Sequence, residues 1–511
     1  MKKQRMAVLI ILDGWGVSEN ADNNAIVLSR PRVYNNLMAQ YSHTLLEAHG
    51  KSVGLPDGQV GNSEAGHMNI GAGRIVKQDS VYISEAILDG SFFKNPAFVA
   101  ALQTVKKNGS KLHIMGILSG MQCPHMSPDH VVALLKMSDD REVSEVVVHC
   151  FTDGRDSPPD SALQNWHEHL QPYLTKNARL GSVSGRLYLD RKEKWQRTKD
   201  LYAMFTLGEA KFFASTFESA VRSGYERGET DEFISPTLIQ AEGKNNLIEN
   251  GDAVIFYNLR SDRARQLTMA FVQPLFDGFH RQKTVHDLQF VTMTDFGPDL
   301  SNCLAAYPSR LVRNSLPFVM KEYRQLYIAE MEKYAHMTVF INGGYPDAVA
   351  GEKRILVRSK DVLSYDEVPE MSAREITQVV LSNIKYDVYN FIVVNYANAD
   401  MLGHTGNVEA AIAGVQVVDR CMGEIIEKVV SKGGLVMVTS DHGNAEYMQD
   451  AVSGSIDTMH ETNLVPLILI DPEKRRLKDV VGKLADVAPT LLSVLNIPVP
   501  PEMTGNNLLI N

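Results

Sequence analysis

The chain has 511 residues, 44% hydrophobic and 22% charged, which excludes a disordered or low-complexity protein. At a typical size of about 150 residues per domain, that length predicts two large domains. A formal net charge of −10 argues against nucleic acid or an anionic membrane as partner. The cysteines, Cys123, Cys150, Cys303 and Cys421, form no C-x-x-C pair, so neither a disulfide framework nor a cysteine zinc site is expected; reduced thiols in the cytoplasm are.

The first stretch, Met1-Lys2-Lys3-Gln4-Arg5, is basic, but the apolar run after it ends in Asp13 with no small-residue cleavage site. It reads as a strand rather than a signal peptide, and no apolar segment reaches the ~20 residues that span a bilayer. Ala7 to Leu12 is continuously apolar and stops at Asp13-Gly14-Trp15-Gly16, as expected of a strand covered on both faces in a parallel sheet flanked by helices. Next, Gly61-Asn62-Ser63-Glu64-Ala65-Gly66-His67 sets a serine between glycines ahead of a helix-compatible stretch. The middle of the chain predicts strands at 111–118, 143–151 and 253–259, with helices at 161–173 and 195–207. It forms an α/β domain of its own, 78–310, inserted into a discontinuous domain of 1–77 and 311–511.

Towards the end, a strand at 390–395 leads to Ala399-Asp400-Met401-Leu402-Gly403-His404, and a long amphipathic helix at 408–430 closes on Lys432-Gly433-Gly434. The apolar run 434–438 then delivers Asp441-His442 into a glycine-containing turn, and His460 sits in a polar loop before the apolar 465–470. Three strands from opposite ends of the sequence thus finish near acidic or imidazole residues. In open α/β sheets ligands gather outside the carboxyl ends of strands, so one composite site is the economical expectation.

Asp13, Asp400, His404, Asp441, His442 and His460 supply three carboxylates and three imidazoles. A serine hydroxyl is a poor nucleophile at neutral pH, and no Gly-x-Ser-x-Gly elbow supports a hydrolase triad. Metal coordination supplies the missing activation: six such ligands beside Ser63 suit two cations sharing a phosphoryl group, and mixed carboxylate and imidazole donors favour manganese or zinc over calcium. Taken singly, Ser63 is an N-cap in a tight turn and each histidine an ordinary surface or core residue.

The motifs Asp13-Gly14-Trp15-Gly16, Gly61 to Gly71, Asp153-Gly154-Arg155-Asp156, Asp262-Arg263-Ala264-Arg265-Gln266, Glu332-Lys333-Tyr334-Ala335-His336, Asp400 to Gly406 and Ser440-Asp441-His442-Gly443-Asn444 fall in one sequential pattern. With them the chain resembles, over nearly its full length, the cofactor-independent (2,3-bisphosphoglycerate-independent) phosphoglycerate mutases of the alkaline phosphatase superfamily. The resemblance implies an alkaline-phosphatase-like α/β domain interrupted by a phosphotransferase domain. It further implies interconversion of 3-phosphoglycerate and 2-phosphoglycerate through a phosphoserine on Ser63, in a monomer that needs no 2,3-bisphosphoglycerate. Two divalent ions are implied, manganese by preference with magnesium or cobalt as alternatives. One is expected on Asp13, Ser63, Asp441 and His442, the other on Asp400, His404 and His460. Substrate contacts carried over are His125, Arg155, Asp156, Arg186, Arg191, Arg260, Arg263 and Lys333, with Asp156 and Lys333 also catalytic; arginine forks suit a phosphate and a carboxylate alike.

Two stretches depart from the family pattern. The loop 119–130, Ser119-Gly120-Met121-Gln122-Cys123-Pro124-His125 onward, is one residue longer than the family's Ser-Asp-Gly-Gly-Val-His-Ser-His loop, and Gly185 to Arg191 is one shorter between its arginines. A shuttle through free glycerate also calls for closure about the two domain junctions, to hold glycerate in and keep water out. A phosphatase or phosphopentomutase on the same scaffold is disfavoured by the Asp-Gly-Arg-Asp motif and the length of the insert, a sulfatase by the lack of a cysteine near position 63, and a silent metal-binding relative by the intact ligand set.

Overall fold

The computed structural model describes residues 5–121, 123–240, 244–297, 299–300, 302–449 and 454–510; Gln122 of the 119–130 loop and the basic residues Lys2 and Lys3 lie outside them. The chain divides into two compact units, Met1–Gln78 with Arg310–Asn511, and Asp79–Ser309. Among the described residues no helix is long and apolar enough to cross a membrane.

The first unit is built on an eight-stranded sheet in the order Lys353–Val357, Gln325–Glu330, Phe391–Tyr396, Ala7–Leu12, Leu435–Thr439, Val465–Ile470, Ser42–Glu47, Gly482–Lys483. Ala7–Leu12 lies at its centre, parallel to Phe391–Tyr396 on one side and to Leu435–Thr439 on the other. All six of its side chains are buried, and alternation divides them: Val8, Ile10 and Leu12 join one core cluster, Ala7, Leu9 and Ile11 another. The first cluster is roofed by the helices Ala373–Lys385 and Val408–Ser431. In the longer helix Ala411, Gly414, Val418, Cys421, Ile425 and Val429 recur at helical spacing on the buried face, and Asn407 caps its start by accepting from the Ala410 N–H. The opposite face of the sheet is covered in part by the helix Ser63–Ala72. The sheet is mixed, because Val465–Ile470 pairs antiparallel with both its neighbours.

The second unit holds another eight-stranded sheet, in the order Leu304–Tyr307, Gln289–Thr294, Ala253–Phe256, Leu112–Leu118, Val146–Thr152, Ala178–Gly185, Thr237–Ile239, Phe212–Ala214. All its ladders are parallel except that of Ala178–Gly185 with Thr237–Ile239. The stretch 161–173, expected as one helix, is a helix at Ala162–His169 followed by a 3-10 turn at Gln171–Tyr173. Pro172 lacks the N–H a continuing helix needs.

Candidate active site

Three adjacent strands of the first unit end at one place. Ala7–Leu12 runs into Asp13, Leu435–Thr439 into Ser440, Asp441 and His442, and Phe391–Tyr396 into the short helix Asn398–Gly403 that carries Asp400. The turn after Asp13 must be glycine: Gly14 has φ +74°, and a β-carbon there would lie 2.5 Å from the Asp400 Cα. Its N–H donates to Asp441 Oδ1 at 3.2 Å, and the Asp400 N–H donates to the Asp13 carbonyl at 3.0 Å, so the three acidic turns are laced by backbone.

Ser63 opens the helix Ser63–Ala72, with Asn62 as N-cap accepting from the Ala65 N–H. The helix approaches Asp441 so closely that a β-carbon at Gly66 would lie 2.6 Å from the Asp441 carbonyl oxygen. Ser63 Oγ lies 2.9 Å from His442 Nε2, donates to Asp13 Oδ1 at 3.3 Å and accepts from Lys333 Nζ at 2.9 Å. Lys333 Nζ also reaches Asp13 Oδ1 at 2.6 Å and Asp400 Oδ2 at 2.5 Å. Lys333 is carried by the turn Met331–Ala335, which continues as the π-helical His336–Phe340. Gly71 of the serine helix lets that segment in: a β-carbon there would lie 2.0 Å from the Ile341 carbonyl oxygen.

The histidines converge on Asp400. Its Oδ1 is 3.1 Å from His460 Nε2, 3.3 Å from His404 Nε2 and 3.9 Å from His442 Nε2. Each ring's Nδ1 faces a backbone carbonyl: Thr458 for His404 at 2.7 Å, Gly61 for His460 at 2.8 Å and Gly443 for His442 at 3.3 Å. A carbonyl only accepts, so each Nδ1 carries a proton, and a neutral ring then turns its Nε2 lone pair inward. His404 and His460 face each other, Nε2 to Nε2, at 3.0 Å, and both Nε2 atoms also face Asp400 Oδ1. With both rings neutral, two imidazole lone pairs and a carboxylate oxygen converge there, an arrangement suited to a cation.

The carboxylates make the same point. Asp13, Asp400 and Asp441 are all buried, and Lys333 is the cation among them. Burial, and then the Asp441 charge, push Asp13 up to about 7 against the pull of Lys333. Burial would lower Lys333, but Asp13, Asp400 and Asp441 hold it above its usual value. Burial drives His442 down to about 3, so it stands neutral at pH 7. Asp441 Oδ2 lies 3.2 Å from His67 Nδ1 and 3.5 Å from His442 Nε2. Among the described residues, one ammonium against three buried carboxylates, with imidazoles converging on Asp400, makes a donor set that fits divalent cations. Two groups emerge with their donor atoms within 4.8 Å of one another: Asp400, His442 and His460, and Asp13, His67 and Asp441. His442 Nε2 stands between them, 3.7 Å from Asp13 Oδ1 and 3.5 Å from Asp441 Oδ2.

Sequence reasoning missed His67, Asn395 and Asn444. His67 Nδ1 donates to the Ser63 carbonyl at 2.9 Å; Asn395 Nδ2 donates to Asp13 Oδ2 at 2.8 Å and lies 3.0 Å from His67 Nε2; Asn444 Nδ2 donates to Asp400 Oδ1 at 3.0 Å. They hold Ser63, Asp13 and Asp400 in place. The signal was present: His67 is four residues after Ser63, hence on the same helical face, and Asn395 is polar near the end of an apolar strand.

The second unit gathers a different set, again beyond the ends of its strands. Asp153, after Val146–Thr152, accepts from Ser119 Oγ at 2.6 Å and from the N–H groups of Arg155 and Asp156 at 3.3 and 3.2 Å. Arg186 Nη1 bridges Asp153 Oδ1 and Asp156 Oδ2, the latter at 2.5 Å. His125 Nε2 is 3.8 Å from Asp156 Oδ2 and its Nδ1 is 3.6 Å from Asp262 Oδ1, whose other oxygen takes Arg191 Nη1 at 2.7 Å. Arg260 precedes the helix Ser261–Val272 as its N-cap, and Arg263 within it faces the carbonyls of Arg186 and Leu189. Arg155 is the outlier, its side chain half-exposed with Nη1 3.8 Å from Glu232 Oε1. Burial, then Arg186 and Arg191, lower Arg263 to about 10, and burial followed by Arg186 brings His125 down to about 4. Crowded guanidiniums whose buried Nε atoms on Arg186 and Arg263 have no hydrogen-bond partner among the described residues suit an anion.

Residues 5–499 match the model of the Metalloenzyme superfamily, the class that the metal-ready cluster defines. The chain is 42% identical over 512 residues to the 2,3-bisphosphoglycerate-independent phosphoglycerate mutase of Clostridium botulinum, covering 99% of both proteins. It is 44% identical over 511 residues to the enzyme of the same name from Thiobacillus denitrificans, covering 98% of both. A solved structure of Leishmania mexicana phosphoglycerate mutase, determined at low cobalt concentration, is similar with a TM-score of 0.80 at 27% identity, over 99% of this chain and 98% of that one. The chain belongs to the 2,3-bisphosphoglycerate-independent phosphoglycerate mutase family.

Proposed function

We propose that the chain interconverts 3-phosphoglycerate and 2-phosphoglycerate through a phosphoserine on Ser63, with no 2,3-bisphosphoglycerate. The observation that carries this is Ser63 Oγ at a helix start, 2.9 Å from both Lys333 Nζ and His442 Nε2, beside three buried carboxylates. In this reading the first unit is the phosphatase-like metal-binding domain and the second the inserted phosphotransferase domain.

Two divalent ions, manganese in preference to magnesium or cobalt, would be held by Asp13, Ser63, Asp441 and His442 and by Asp400, His404 and His460, supplying positive charge to the transferring phosphoryl oxygens and to the serine alkoxide. Lys333 donates to Ser63 Oγ and favours its ionised form. Ser63 Oγ, its proton already released to solvent, attacks phosphorus as the alkoxide, the bond from phosphorus to the 3-oxygen breaks, and Asp156 protonates that oxygen; Ser63 leaves again as the alkoxide in the return transfer. Glycerate reorients among Arg155, Arg186, Arg191, Arg260, Arg263 and His125. Asp156 then takes the 2-hydroxyl proton as that oxygen recovers the phosphoryl group from Ser63. We place the reaction in the cytoplasm and in a monomer, in keeping with four free thiols; light scattering of the eluting protein checks the monomer. Intact-mass analysis of protein quenched during turnover should show one phosphoryl adduct that Ser63→Ala abolishes along with activity. Turnover by Ser63→Ala would contradict the scheme.

A further inference from the structure

The departing loop 119–130 brings a cysteine to the Asp-Gly-Arg-Asp turn. Cys123 Sγ lies 4.0 Å from Asp156 Oδ2, and Cys123, Asp153 and Asp156 have donor atoms within 4.8 Å of one another. His125 Nε2 is 3.8 Å from the same Asp156 oxygen, and the other ring nitrogen is buried with no hydrogen-bond partner among the described residues. Ligand atoms sharing a tetrahedral zinc ion, with bonds of about 2.0–2.3 Å, stand roughly 3.3–3.8 Å apart, so the 4.0 and 3.8 Å separations at Asp156 need shrink only by tenths of an ångström, while Asp153, within 4.8 Å, must close by up to about 1 Å or more. We propose that Cys123, His125, Asp153 and Asp156 form an inhibitory site for a thiophilic dication, zinc or cadmium. Its inhibitory part rests on the reading of Asp156, His125 and Arg186 as substrate groups.

Charge conservation favours the exchange. The site now holds a thiol, two carboxylates and the Arg186 guanidinium that bridges them. A dication enters as the thiol gives its proton to buffer and Arg186 swings out, so two positive charges replace two and the buried balance is kept. Burial and the flanking Asp153 and Asp156 carboxylates push the thiol up, so an arriving cation, rather than spontaneous ionisation, releases the proton. The hard ions manganese and magnesium gain little from thiolate, which separates this site from the oxygen and nitrogen donors around Ser63. Displacing Arg186 removes a substrate cation and ties up Asp156, so turnover stops. Among the described residues no other cysteine falls in such a group, and Cys150 is buried on the Val146–Thr152 strand, where burial alone shifts its thiol.

The test titrates manganese-saturated protein with cadmium while recording the ultraviolet cadmium–thiolate absorption, and measures mutase turnover against zinc in parallel. The expected result is one equivalent of thiolate absorption, lost in Cys123→Ser and in Cys123→Ala but kept in Cys150→Ser. Zinc inhibition should weaken by about tenfold or more in the Cys123 variants, as loss of a ligand requires. No absorption in the unmodified protein, or undiminished absorption in both Cys123 variants, overturns the site. Absorption tied to Cys123 with turnover untouched by zinc overturns the inhibitory claim and locates the failure in the reading of this pocket as the substrate site, because the metal is then demonstrably bound there.

Discussion

Single residues decide how negative charge is managed. Lys333 is the cation within reach of Asp13, Asp400 and Ser63 at once. Lys333→Met is expected to lower kcat by roughly 10²–10³-fold, the usual cost of removing one preorganised donor from a developing charge; steady-state kinetics at saturating manganese checks it, and a loss under threefold would contradict the role. Protons compete with metal at the same place. Burial alone would lower His404, but its hydrogen bond and charge contact with Asp400 outweigh that and raise it above its ordinary 6.5. A raised imidazole holds its proton to higher pH, so manganese affinity should fall as pH drops from 8 through the region just above 6.5, measured by titrating free manganese; a flat profile down to pH 6 would contradict it. The convergence of these residues was legible in the sequence because aspartate, histidine and serine at the ends of apolar strands have few other reasons to be there. His67, Asn395 and Asn444 were not, because a group that orients a ligand is recognised only once its partner is in view.

At the scale of elements, the apolar runs were legible wherever a strand is buried on both faces, as at Ala7–Leu12 and Leu435–Thr439. Direction was not: Val465–Ile470 is equally apolar but antiparallel, and side-chain pattern alone carries no strand polarity. The π-helical turn after Lys333 was likewise hidden, since its register depends on the notch left by Gly71 in another helix. Turn geometry gives a sharp expectation at Gly14. Gly14→Ala meets both a left-handed backbone and the Asp400 main chain, so it should destabilise the fold by about 1–3 kcal/mol through strain alone and weaken manganese binding by moving Asp400. Urea unfolding and a metal titration on one variant test both; unchanged stability would show that the turn relaxes freely.

On the scale of the whole molecule, the two sheets carry separate chemistries, and the second unit also contains an acid-sensitive core. His149 Nε2 lies 3.0 Å from His113 Nδ1, His113 Nε2 is 3.1 Å from Asp252 Oδ2, and His149 Nδ1 is 2.9 Å from Ser182 Oγ, with Lys111 and Arg179 as nearby cations. Burial lowers both imidazoles, and each is further lowered by its positive neighbours, while Asp252 pulls His113 partly back. The sign follows: below about 6.5 the unfolded chain takes up protons that the folded core refuses, so stability is full above that pH and declines beneath it. Thermal unfolding between pH 7.5 and 5.5 should show a falling midpoint that His149→Gln flattens; an equal slope in the variant would contradict this.

The central claim is a phosphoryl shuttle on Ser63, and phosphorus NMR of manganese-replete protein with 3-phosphoglycerate and no added 2,3-bisphosphoglycerate tests it most directly. The account requires a 2-phosphoglycerate resonance to grow without free phosphate. Free phosphate alone, or an unchanged spectrum, would contradict it.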